Sequence, residues 1–302
     1  MRALSVGALF KNEERALPEW IEHYPHHGAE HFYLIDDNSD DRSCDVVKPY
    51  VDHGLVSLFR EKHPYYLGRQ RNLYNKHILP RFDETHWLLI CDLDEFVWSP
   101  RSIDLRPVLA ELDHIAQVQM IHTLFGSNGR VTTPAGGLVA SYTRRASSSP
   151  TRKPGNFKYF LNSTRAACSS LNVHHATFTA KEGKDAPYYI MNETWFVLNH
   201  YCCQSREFWQ NTKCTRGDAD SYRVRTMKDF ATYDLNDVKD TRPLEQKTSS
   251  SSRPRPFIRP CGFDRPRILP AAPSCRLCRG WSSVANRRTR YASARAPSLC
   301  AP

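Results

Sequence analysis

In the first hundred residues, apolar runs of strand length alternate with segments of helical period, and this alternation restricts the fold more than any other feature. ALSVGALF (3–10), HFYLIDD (31–37), LVSLFRE (55–61) and WLLICD (87–92) read as strands. EERALPEWIEHYPHHG sets Leu17, Trp20, Ile21 and Tyr24 on one helical face and stops at Pro25 and Gly28. SDDRSCDVVKPYVDHG offers Ser39 or Asp40 as a cap, Val46, Val47 and Tyr50 as a face and Gly54 as a stop, and residues 67–80 supply a third helical segment. The pattern predicts an α/β fold with a mostly parallel, Rossmann-like sheet and helices on both faces. Ligands of such sheets bind beyond the carboxyl ends of the strands, near the switch in strand order. Three runs end on polar clusters, KNE (11–13), DDNSDD (36–41) and DLDEF (92–96). Asn12, Glu13, Asp36, Asp37 and Asn38 are thus candidates for the binding edge, although Asn and Asp also serve there as helix caps.

DLDEF carries the most chemistry. In an extended segment residues i and i+2 point the same way, so Asp92 and Asp94 would present two carboxylates to one point, with Leu93 turned inward. Adjacent like charges repel unless a cation sits between them, and hard oxygen donors favour Mg²⁺ or Mn²⁺. Such ions keep coordination positions for phosphate oxygens, so the pair suits a diphosphate anchor; the competing reading is a plain polar strand end. Asp83 and Glu84 read as a solvated turn before the strand.

Charge narrows the choice of partner. The chain has 42 Lys and Arg against 32 acids, but twelve of those bases and one of those acids fall after residue 246, which leaves 30 against 31 in front. The body is near neutral, so no nucleic-acid groove is expected. The tail from about 246 to 302 is rich in Ser, Pro and Arg without period, and reads as disordered. Its Cys275 and Cys278 have zinc-ligand spacing but no second pair. Ten cysteines without a framework fit reduced thiols and a cytoplasmic setting. The apolar N-terminal run is too short for a signal peptide, and none approaches a membrane span.

The order KNE, LPEWIEHY, HFYLIDDNSDD, QRNLYN, DLDEF, FGSNG (125–129), GGLVASYTRR (137–145), VHH (173–175), LNHY (198–201) and WQNTKCTRGDA (209–219) resembles glycosyltransferase family 92 and related GT-A fold enzymes over about residues 3–225. The resemblance implies metal-dependent, inverting transfer of a sugar from a nucleotide-diphosphate donor, with a UDP-sugar favoured, to a hydroxyl acceptor, expected to be a glycan. It implies a GT-A domain over 1–245, with residues 1–100 binding the nucleotide sugar and 101–245 the acceptor. It places Mn²⁺ or Mg²⁺ on Asp92, Asp94 and His200. Asn12, Glu13, Asp36, Asp37, Asn38, Gln70 and Asp92 would hold the donor. Asp218 is the first candidate for general base, then Glu95, then His175, which is preferred to His174 because neighbours on a strand cannot both point inward. Residues 145–170 read as a long loop able to close over the donor. Trp195, Tyr201, Phe208 and Trp209 are sugar-stacking candidates, but aromatic residues in such patterns are more often core. Eukaryotic members of the family are commonly anchored by an N-terminal membrane helix, so a Golgi or lumenal setting would require a missing anchor. Alternatives are a metal-dependent phosphohydrolase or nucleotidyltransferase, and a non-catalytic carbohydrate-binding protein.

Overall fold

A computed structural model describes residues 1–148, 157–181, 188–217, 219 and 223–248. The elements are β1 (Arg2–Phe10), α1 (Leu17–His26), β2 (His31–Asp37), α2 (Ser43–Asp52), β3 (Val56–Glu61), α3 (Arg69–His77), β4 (Thr85–Ile90), β5 (Glu95–Trp98), α4 (Leu105–Glu111) and β6 (Gln117–Leu124). Then follow α5 (Leu138–Ser141), β7 (Arg144–Arg145), β8 (Phe157–Asn162), β9 (Ala166–Leu171), β10 (Ala176–Ala180), β11 (Tyr188–Met191), β12 (Val197–His200), α6 (Arg206–Phe208), α7 (Met227–Tyr233), β13 (Val238–Lys239) and α8 (Arg242–Thr248). A π-helical turn, Trp209–Lys213, continues α6. No helix among the described residues is long and apolar enough to cross a membrane.

The main sheet runs in the order β3-β2-β1-β4-β8-β6-β12-β5, with β11 also paired to β6. β1 to β4 are mutually parallel. β8 is antiparallel to both β4 and β6, and β12 is parallel to β6 but antiparallel to β5. Mixed α/β with a largely parallel sheet is the architecture expected of a GT-A enzyme. From β1 the chain steps outward to β2 and β3, then crosses back to β4 on the other side of β1. The ends of β1 and β4 therefore flank the switch point, where open α/β sheets bind ligands.

Helices cover both faces because the central strands β1, β2 and β4 are largely apolar on both. Leu4, Val6, Ala8 and Phe10 of β1 pack with Leu17, Trp20, Ile21 and Tyr24 of α1. On the opposite face Leu9 joins Tyr33, Ile35, Leu88 and Ile90 beneath Leu73 and Tyr74 of α3. All four expected apolar residues of α1 are fully buried. Truncating Trp20 to Ala would cost about 3–5 kcal/mol by the usual scale for large core residues.

Three expectations need correction. Residues 145–170 are not one long loop: Phe157–Asn162 is a wholly buried strand inserted between β4 and β6, and Ala166–Leu171 pairs with β10; residues 149–156 lie outside those described. Ser39 and Asp40 do not cap α2, since Ser39 Oγ accepts from Asn12 N and Asp40 exchanges hydrogen bonds with the Asn12 side chain. His174 and His175 occupy the turn between β9 and β10, not a strand. The tail after residue 248, with Cys275 and Cys278, lies outside the described residues, and α8 runs to Thr248 across the boundary expected near 245.

FGSNG has a structural explanation. A Cβ at Gly126 would stand 2.5 Å from Leu235 O, so only glycine lets these backbones meet. Ser127 N donates to Asp234, and the amide of Asn128 ties together Thr143 and Arg144.

Candidate active site

The polypeptide leaves β4, turns through Cys91 to Asp94 and re-enters the sheet as β5. Trp20 of α1 fixes this turn from below, its Nε1 donating to Asp92 O at 2.9 Å and Glu95 O at 3.0 Å. The acids therefore converge from a turn and not from the straight strand assumed for alternating residues. Carboxylate oxygens of Asp92, Asp94 and Glu95 all lie within 4.8 Å of one another. Leu93 points into the core, as expected.

Each acid has protein partners. Asp92 Oδ1 accepts from Gln70 Nε2 at 3.0 Å, and Oδ2 accepts from Lys158 Nζ at 2.7 Å. Lys158, on β8, is fully buried and also stands 3.5 Å from Glu95 Oε2. That oxygen accepts from Asp92 N at 2.6 Å, while Glu95 Oε1 meets His122 Nε2 at 2.8 Å. The His122 ring packs 4.3 Å from that of His200, whose Nε2 is 3.5 Å from Asp94 Oδ1. Lys213 Nζ donates to Asp94 Oδ2 at 3.2 Å. The strand register explains the proximity, because Glu95 on β5 is paired directly with His200 on β12.

These neighbours set the protonation states. Burial works against the charge of Asp94, yet Lys213 and His200 hold its carboxyl well below the usual range. Glu95 is likewise opposed by burial but brought down to about 2 by Lys158 and His122. Burial lowers His122 to about 4, so it is neutral at pH 7. Burial also opposes the ammonium of Lys158, but Asp92 and Glu95 raise it above the ordinary lysine value, and Asp94 does the same for Lys213.

A cleft of about 940 Å³ opens above the acids, and Glu13, Asp37, Asn38, Gln70, Asp92, Asp94 and His200 all line it. Glu13 is bound to Arg216 at 2.9 Å and Asp37 is ion-paired to buried Arg69. Asn12 and Asn38 both have left-handed backbones, φ 54° and 59°, at the ends of β1 and β2, a conformation Asn tolerates better than most residues. Asn12 is turned to Ser39 and Asp40, and Asp36 is buried against Ser39 N, Cys44 Sγ and Arg60, so neither side chain is brought to the cleft lining. Glu95 sits at the floor with no exposed surface. In the β9–β10 turn it is His174 that reaches the cleft, its Nδ1 donating to Phe157 O, while His175 is exposed and does not line it. Asp218 lies outside the described residues; Gly217 and Ala219 on either side line the cleft. Tyr201 and Trp209 are buried, in keeping with the core reading.

Sequence reasoning missed Lys158, Lys213, Arg216, Arg69 and His122. Lys158 was hidden inside a supposed loop, although KYFLN has the apolar, aromatic character of a strand. His122 is one of four polar residues in the strand QVQMIHTL, with nothing in the sequence to mark its partner.

Residues 3–241 match the description of glycosyltransferase family 92. A family 92 protein of Oryza sativa subsp. japonica is 25% identical over 212 residues, covering 69% of this chain and 35% of the relative. One of Ricinus communis is 25% identical over 244 residues, covering 77% and 38%. The chain thus spans little more than a third of the length of these relatives. Among solved structures, S. aureus TarS 1-349 in complex with UDP-GlcNAc is 13% identical, covers 76% of this chain and 64% of its own, and gives a TM-score of 0.40. The mannosyltransferase PcManGT from Pyrobaculum calidifontis in complex with GDP-Man and Mn²⁺ is 12% identical, covers 66% and 57%, and gives 0.36. Scores this low assign no residue and no ligand. The match to the family description covers most of the chain and includes both the DLD turn and LNHY: the chain belongs to glycosyltransferase family 92.

Proposed function

We propose that this chain transfers a sugar, with inversion, from a nucleotide-diphosphate donor to a hydroxyl acceptor on a glycan, assisted by Mn²⁺ or Mg²⁺, and that UDP-sugars are the preferred donors. The observation that carries the reading is the convergence of Asp92, Asp94 and Glu95 oxygens within 4.8 Å at the floor of a cleft of about 940 Å³. That volume suits a ligand the size of a sugar nucleotide.

The donor set fits a hard divalent cation: carboxylate oxygens, with one imidazole beside Asp94. Asp94 and His200 would hold it, with Asp92 alongside, and when bound it supplies Lewis-acid stabilisation to the departing diphosphate. The remaining work falls to the chain itself. Gln70 and Lys158 orient Asp92, while Glu95 acts from beneath by anchoring Lys158, His122 and the Asp92 amide. Asp37, Asn38 and Glu13 line the cleft and in this reading meet base and ribose, and Arg69 and Arg216 orient the two acids among them. The acceptor hydroxyl must lose its proton to a base. Glu95 has no exposed surface and is engaged by Lys158 and His122, and His175 does not line the cleft, so neither is taken as the base in this reading. Asp218, between two cleft-lining neighbours, is the base in this reading.

The test is thermal stability with UDP-, GDP- and CMP-sugars, with and without Mn²⁺, for wild type and Asp94→Ala. A manganese-dependent rise with one nucleotide class that is lost in the variant supports the reading. No response to any combination overturns it, and phosphate release without a sugar acceptor would favour a phosphohydrolase.

A further inference from the structure

We propose that Lys213 is an exchangeable counter-ion: it neutralises Asp94 in the free protein and passes to the donor's diphosphate when a divalent cation takes over the carboxylate. Cation and nucleotide would then bind weakly apart and strongly together. The inference rests on the metal-assisted reading above and deepens it.

Both oxygens of Asp92 and both of Asp94 already face a protein group. Gln70 stands at 3.0 Å and Lys158 at 2.7 Å on Asp92, His200 at 3.5 Å and Lys213 at 3.2 Å on Asp94. Each carboxylate oxygen keeps a further lone pair for a cation, but an ammonium on the same carboxylate repels a dication, so Lys158 and Lys213 are the two groups that oppose its binding. Lys158 cannot leave. Its side chain is wholly buried on a central strand, and its departure would strip the charge partner from both Asp92 and Glu95.

Lys213 is placed differently. Its side chain is 24% exposed, it lines the cleft, and it ends the π-helical turn Trp209–Lys213, a local geometry that often marks functional positions. One turn further on, Arg216 is bound to Glu13 and to Lys11 O across the cleft, which holds the segment over the end of β1. An ammonium on a flexible four-carbon stem presents rotatable donors to phosphate oxygens as readily as to a carboxylate.

Charge makes the exchange conditional. With Lys213 on Asp94 the pair is neutral. A dication that takes over Asp94 frees Lys213 and leaves Asp92, Asp94, Glu95, Lys158 and Lys213 together with one net positive charge. A nucleotide diphosphate supplies the missing negative charge, bonding to Lys213 and to the cation together. Coupling of this kind is reciprocal: each ligand tightens the other by the same factor.

Mn²⁺ binding is read by electron paramagnetic resonance of the free ion, with and without saturating UDP, and UDP binding by calorimetry with and without Mn²⁺. The full chain is used as wild type, Lys213→Met and Lys213→Arg. In the wild type UDP should tighten Mn²⁺ binding by about tenfold or more, and Mn²⁺ should tighten UDP equally. In Lys213→Met, Mn²⁺ alone should bind several-fold tighter than in wild type, and the mutual tightening should shrink to about threefold or less. Lys213→Arg should restore the coupling. A folded Lys213→Met protein that binds Mn²⁺ alone no tighter than wild type, or keeps full coupling, overturns the role of Lys213 while leaving the transferase reading intact. A wild type that binds no Mn²⁺ even with UDP overturns both. If Lys213→Met does not fold, Lys213→Gln carries the same expectations.

Discussion

Two acids two residues apart in the same turn are neutralised by two lysines in opposite ways. The partner of Asp92 is built into the middle of the sheet and shares its charge with Glu95. The partner of Asp94 reaches in from a short helical turn in the cleft wall and remains 24% exposed. One ion pair is scaffold and the other is a contact that ligands can compete for. What separates them is burial: an ammonium with no water to return to must stay with its carboxylates, whereas one at the cleft surface can trade partners at little cost.

The comparison breaks first, if it breaks at all, at Lys158. Lys158→Met keeps the stem but leaves Glu95 buried without its cation, and should cost about 3–5 kcal/mol in urea unfolding. A loss below about 1 kcal/mol would mean that Lys158 is not fixed scaffold. Asp94→Ala should do the reverse, reducing transfer by about a hundredfold or more while moving the melting temperature by no more than a few degrees. If it unfolds the protein instead, Asp94 belongs with Asp92 as scaffold. Trp20→Phe sharpens the contrast from below: losing the indole donor to two carbonyls of the turn should cost about 1–2 kcal/mol and reduce Mn²⁺ affinity along with stability. The smallest effect is a background that all of these measurements share. Burial and the nearby Arg2 lower His31 to about 4, so the unfolded chain takes up a proton before the folded one does. The stability held by neutral His31 is complete above about pH 6.5 and is lost as pH falls toward 4. Unfolding of wild type and His31→Gln at pH 7.5 and 5 checks the sign, since the wild type should lose more between the two.

The half of the molecule with regular alternation was legible from the sequence. The four strands, the buried face of α1 and the siting of acids at strand ends all follow from periodicity, because each element there is apolar on the faces it packs. DLD and LNHY could be matched as motifs, and the fold does bring Asp94 to His200. What could not be read was pairing across distance. Lys158 meets Asp92 across 66 residues and Lys213 meets Asp94 across 119, and neither lysine carries a local sign of its partner. The insertion of β8 was missed because a Ser, Pro and Gly-rich approach masked a short strand. His174 was misjudged against His175 because a turn does not alternate as a strand does.

Lys158 also has a consequence for how the sheet is threaded. β8 must slot between β4 and β6 with Lys158 and Phe160 on one face and Tyr159 and Leu161 on the other. A slip of one residue would exchange the faces, drive an ammonium into the apolar cluster around Tyr74 and leave the acids beneath the cleft uncompensated. The charges that prepare the site therefore proofread the pairing of the strand, so a mis-threaded chain is penalised before it can present a cleft at all.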